Sequence, residues 1–149
     1  MKGFTLIELA IVIVIAALLA AVAVPIYNGI VKDSKWTEGK TAVGAISEAL
    51  DTYSAKTGGD LLTGLSGGAG VAFAPTDADL DEIRMEVASL TTLQYFDRAD
   101  FEITITDADP DTYSIELDAT GGAGGASTNG PASGTVTFDS STGDWTENY

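Results

Sequence analysis

Apolar positions fall along this chain in three rhythms. Residues 4–26 are almost uninterrupted hydrophobes, with one carboxylate, Glu8, near the start and Pro25 near the end. As a helix this run rises roughly 35 Å, enough to cross a hydrocarbon core of about 30 Å. Pro25 lacks an N–H and its ring crowds the carbonyl of Ala21, which predicts a kink there. In the second rhythm Trp36, Val43, Ile46, Leu50 and Tyr53 recur at helical spacing, which predicts an amphipathic helix over 27–56. Gly29, Gly39 and Gly44 weaken it, and Gly58 suits its C-terminal cap. A connecting region over 57–98 follows. It holds a second, short helix over 79–90, with Leu80, Ile83, Val87 and Leu90 on one face and Asp79, Asp81 and Glu82 complementing its dipole.

The third rhythm is alternation. Phe101, Ile103 and Ile105, then Tyr113, Ile115 and Leu117, then Val136 and Phe138, and a last stretch over 145–149 read as strands with one buried face. Residues 107–111 and 140–144 are rich in turn formers, and the Gly-rich stretch 121–130 reads as an exposed excursion. The fold class is therefore α+β: a long N-terminal helix, membrane-spanning in its first half, packed on a small antiparallel sheet of three or four strands over 99–149.

Charge narrows the function classes. Twenty-two acids against 7 bases give a net charge of −15. Such a surface repels phosphate backbones, so no nucleic-acid partner is expected. Neither cysteine nor histidine occurs. That removes disulfides, the commonest general base and every Ser-His or Cys-His pair, and with them the main routes to an enzyme. No N-x-[ST] sequon is present.

Two readings of the N-terminus compete. Lys2, the apolar run and Ala21-Val22-Ala23 have the form of an ordinary secretory signal, cleavage of which would leave a soluble acidic domain starting at Val24. Against it stand a charged region of two or three residues and the carboxylate of Glu8, which at the centre of a bilayer costs about 2.5 to 3.5 kcal/mol. Lysines flank the run on both sides, at Lys2 and at Lys32, Lys35 and Lys40, so loop charge does not orient it.

Gly3-Phe4-Thr5-Leu6-Ile7-Glu8-Leu9, followed by the apolar run and Pro25, resembles the class III signal and N-terminal helix of type IV pilins and type II secretion pseudopilins. The resemblance is close over about the first thirty residues and extends to the rest in architecture, that of the pilin fold. It implies a leader of residues 1–3 cut between Gly3 and Phe4 by a prepilin peptidase, N-methylation of Phe4, a transmembrane and assembly helix over 4–26 and a headpiece over 27–149. It implies a single-pass inner-membrane precursor that the pilus assembly machinery polymerises into a homo-oligomeric helical filament on the cell surface. There the Glu8 carboxylate would meet the α-amino group of a neighbouring Phe4 and fix register, and Pro25 would be the helix-breaking proline. Many members carry Gly eight residues before that proline, where this chain has Ala17.

The expected function is that of a major pilin supporting adhesion, motility or surface attachment. A pseudopilin of a type II secretion system is the alternative, and a secreted or anchored acidic domain that never polymerises is a third. One cofactor is considered. Asp107, Asp109, Asp111 and Asp118 fall near ligand positions of a calcium loop. Thr112 stands where such a loop needs Gly, and an acidic hairpin turn explains the same residues, so the hairpin is the favoured reading, calcium stays open as the weaker one, and no other cofactor is expected.

Overall fold

The computed structural model describes residues 3–85, 93–120, 130–131 and 133–149. The chain divides into two compact units, residues 1–34 and 35–149, and the first helix, α1 (Leu6–Thr57), runs through both. α1 is unbroken across Pro25. In the first unit it carries no polar residue from 9 to 27 except Tyr27, and its large hydrophobic side chains, from Leu6 to Ile30, are exposed.

In the second unit α1 has one buried face. Trp36, Val43, Ile46, Leu50 and Tyr53, the positions at helical spacing, are all buried there, with Gly39 and Ala42 beside them. The opposite wall of that core is a four-stranded antiparallel meander in chain order: β1 (Phe101–Thr106), β2 (Thr112–Asp118), β3 (Thr135–Asp139) and β4 (Asp144–Asn148). Alternation sends Phe101, Ile103 and Ile105 of β1, Tyr113, Ile115 and Leu117 of β2, and Val136 of β3 into the same core. The Tyr113 hydroxyl donates to Asp51 Oδ1 at 2.6 Å and so ties β2 to α1. This is the α+β architecture of the pilin fold, with the larger of the two expected strand numbers.

The two edges of the sheet differ. Outside β1 lies the chain at Gly70–Phe73, where Gly70 N–H donates to Ile105 O (2.7 Å) and Phe73 and Ile103 exchange both backbone bonds. Among the described residues β4 has no such cover, and all five of its residues are exposed. It is held by its pairing with β3, by Lys40, which reaches Glu147 at 2.9 Å, and by Tyr149, whose ring stacks on Trp36 at 4.6 Å between centroids.

The second helix is shorter than its apolar spacing predicts. α2 spans Asp77–Glu82, because Thr76 caps it with Asp79 as the reciprocal partner, two residues before the expected start. It closes in a Schellman motif: Met85 N–H donates to Leu80 O and Arg84 N–H to Asp81 O, with Arg84 at φ 59° in the left-handed position usual for glycine. Val87 and Leu90, expected on its apolar face, lie outside the described residues, as does the Gly-rich stretch 121–129.

Two glycines of α1 test this packing with opposite signs. A Cβ on Gly39 would lie 2.3 Å from Leu117 Cδ2 and 2.8 Å from Phe96 Cε2, whereas one on Gly44 would meet nothing within 4 Å. Gly44→Ala should therefore stabilise the fold by up to about 1 kcal/mol through helix propensity. Gly39→Ala should lose about 1 to 2 kcal/mol, because overpacking outweighs the same gain. Urea unfolding of both variants checks this, and equal effects would show that the helix and sheet do not meet at Gly39.

Candidate functional site

The residues that sequence marks for function gather at the start of α1. Gly3, Phe4 and Thr5 precede the helix, and Phe4 is 91% exposed. Thr5 is the N-cap. Its hydroxyl and its backbone N–H both donate to Glu8 Oε2, at 2.8 and 2.9 Å, and Glu8 N–H donates back to Thr5 Oγ1 at 3.3 Å. This is a capping box: N-cap Thr and N3 Glu satisfy each other's orphan donors and acceptors at the positive end of the helix dipole. Thr-x-x-Glu ahead of an apolar run is its sequence signature, and reading Glu8 only as an isolated intramembrane charge misses it.

Between Glu8 and Lys32 no residue carries a formal charge. As helix, residues 9–31 rise about 35 Å, which spans a hydrocarbon core without Glu8. A span drawn over those residues would set the carboxylate at the headgroup level, where its solvation cost is far below that of the bilayer centre. No cation pairs with it among the described residues. Both of its own-chain contacts fall on Oε2. Pro25 lies seven residues before Lys32 with Tyr27 close by, near the other end of that span.

The four aspartates considered for calcium are not brought together. Asp107, Asp109 and Asp111 sit in the β1–β2 turn, beside an open cleft of about 370 Å³ shared with Gly58, Asp60 and Thr63. Asp111 is occupied there: Oδ2 accepts from Leu61 N–H at 2.8 Å and Oδ1 from Ala108 N–H at 3.1 Å. Asp118 ends β2, about 20 Å along the strand from that turn, and accepts from Thr120 N–H and Oγ1 at 2.8 and 2.7 Å. Among the described residues no group of three or more acidic side chains is set to hold a metal ion.

Asp111 and Asp118 share a habit with other acids of the second unit, that of accepting from backbone N–H groups. Glu38 accepts from Gln94 and Tyr95 N–H, each at 2.8 Å, and Asp60 from Leu62 and Thr63 N–H at 2.9 and 3.0 Å. Asp79, only 2% exposed, accepts from Ser66 N–H at 2.6 Å through Oδ1 and from Thr76 N–H at 2.7 Å through Oδ2. Burial pushes the Asp79 carboxyl up, but the Thr76 and Ser66 hydrogen bonds outweigh burial and hold it below the usual carboxylate range.

Residues 1–24 match the model of the prokaryotic N-terminal methylation motif. That motif is the class III signal peptide of type IV pilins and pseudopilins. No curated protein and no solved structure matches the chain.

Proposed function

We propose that this chain, which opens with the methylation motif of pilins and pseudopilins, is a major pilin: a structural subunit that polymerises into an extracellular type IV pilus. The motif and the apolar helix fit an inner-membrane precursor that ends in a filament. The single observation that carries the reading is the juxtaposition at the helix start. The Gly3–Phe4 bond lies outside the helix and exposed, one residue before a cap that holds Glu8 at the helix end.

The steps follow from that arrangement. Prepilin peptidase removes residues 1–3, and the new α-amino group at Phe4 is methylated. Thr5 still caps the helix after the cut, so Glu8 keeps its place while Oε1 faces a neighbour. Residues 4–26 form the membrane and assembly segment, and residues 27–149 form the headpiece. Leaving the bilayer for a helix bundle brings no hydrophobic gain, because lipid is as apolar as the helix. Close packing along the small residues Ala16, Ala17, Ala20 and Ala21 supplies the attraction. A carboxylate of one subunit paired with the ammonium of the next adds little net stability, but penalises every register that leaves one of them buried alone. Pro25 gives the helix a position with one backbone bond fewer, where it can open during packing.

Mass spectrometry of the N-terminal peptide from material sheared off whole cells tests this reading. Filaments whose subunits begin at N-methylated Phe4 are expected. The same terminus on subunits confined to the periplasm would identify a pseudopilin of a secretion system. A terminus at Val24 would mean signal-peptidase release and would end the filament reading.

A further inference from the structure

Residues 35–149 carry 20 of the 22 acids and 5 of the 7 bases, so the whole net charge of −15 falls on the second unit. Within it the sheet is the extreme case. Its four strands hold six carboxylates and no lysine, arginine or histidine. The register then decides which carboxylates meet. Glu102 of β1 stands directly opposite Glu116 of β2, and Asp139 of β3 directly opposite Asp144 of β4. Directly opposed side chains have Cβ atoms about 4.5 to 5.5 Å apart, and like charges so placed weaken the pairing.

Among the described residues no opposite charge is at hand: no lysine or arginine pairs with any of these four carboxylates. Three of the five bases are committed elsewhere: Lys40 to Glu147, Arg98 to Asp77, and Lys35 to Gly130 O and the Tyr95 ring. Asp139 is held ionised by the Ser141 hydroxyl and N–H, which lower its pKa. Alternation forbids relief by rotation, since Phe101, Ile103, Ile115 and Leu117 fix which face Glu102 and Glu116 take.

We propose that the sheet is an electrolyte-dependent element: the pairing of β1 with β2 and of β3 with β4 strengthens as salt screens the carboxylates that the register sets opposite one another, so that residues 35–149 are most stable in a saline medium. The dependence has the opposite sign to that of a fold held by surface ion pairs, which salt weakens. Each opposed pair is worth roughly a 1.5- to 5-fold change in the folded-to-unfolded ratio. Screening removes most of that between about 0.01 M and 1 M salt, as the Debye length falls from about 30 Å to about 3 Å.

Urea unfolding of the full chain in non-ionic detergent micelles, across that range of NaCl, tests the proposal. The parent midpoint should rise with salt. Glu116→Lys turns its pair with Glu102 into an attraction, so it should raise the midpoint in dilute buffer and flatten the salt dependence. Asp81→Lys, the same charge change on exposed α2, should flatten it less. Glu116→Gln, which only removes the repulsion, should fall between parent and Glu116→Lys. A parent midpoint that stays level or falls with salt would overturn the proposal. So would equal flattening by Glu116→Lys and Asp81→Lys, because repulsion would then belong to the net charge and not to the register.

Discussion

Glu8→Leu is expected to leave the precursor in the membrane and to abolish most filament yield. The substitution removes the only formal charge between Phe4 and Lys32, so insertion becomes easier, not harder. On the proposed assembly, yield would suffer because the ammonium of each neighbouring Phe4 would then enter the bundle without a counter-charge. Leaving one member of a buried ion pair alone costs on the order of 3 to 5 kcal/mol at every junction. Glu8→Gln separates the two roles of the side chain. Glutamine still accepts from Thr5 and completes the capping box, yet it offers no charge, so it should start the helix normally and still lower the yield. Quantifying sheared filaments against membrane-bound subunit reads both variants. Undiminished yield from Glu8→Leu would remove Glu8 from assembly altogether.

The largest effect in the headpiece is expected at Asp79. Its two oxygens fasten the loop at Ser66 and the cap at Thr76 to the N-terminal end of α2. Asp79→Ala loses the capping box and leaves Ser66 N–H without its acceptor, at a combined cost of about 2 to 4 kcal/mol. That is a large share of the stability of a small domain. The pH dependence has a definite sign. A carboxyl lowered in the folded state adds stability in full above the unfolded value, 3.8, and loses it as the pH falls through the folded one. Parent and variant should therefore differ fully near neutral pH and converge below about pH 4. Urea midpoints across that range would show it, and a difference that held constant into acid would mean that the ionised carboxylate is not what fastens the loop.

Asp79 also shows where reading the sequence stops. In Thr76-Asp77-Ala78-Asp79 the three-residue interval marks Asp79 as the reciprocal partner of the cap, but nothing in the order of residues marks it, among Asp77, Asp79, Asp81 and Glu82, as the acid that is buried. Its partner at Ser66 lies in a glycine-rich stretch with no period. The same holds for Asp111, whose acceptance from Leu61 spans fifty positions. Of the alternate aspartates Asp107, Asp109 and Asp111, the order of residues does not tell that Asp111 is the one that accepts from two backbone donors. Leu61 and Leu65 are buried because such acids pin the chain around them, not because any pattern of hydrophobes predicts it. Where side chains recur with the period of their own element, sequence and structure coincide. Trp36 to Tyr53 on α1 and the inward residues of β1 and β2 belong to the core as their spacing requires. At the N-terminus the motif was legible, whereas reading Glu8 as an isolated charge passes over the part played by Thr5, although the three-residue interval to Glu8 carries its signal.

Counted over the described residues, the sheet has one covered edge and one open edge, and so a valence of one. An extended segment from elsewhere can join at β4, but Gly70–Phe73 has already taken the place beside β1. Strand exchange between two such domains would therefore saturate as a closed pair, β4 against β4, with no free site left from which a ladder could grow. Two copies of Asp144 and Glu147 would have to lie along that seam. A densely crowded surface of these domains is thus guarded against runaway sheet growth by topology first and by charge second.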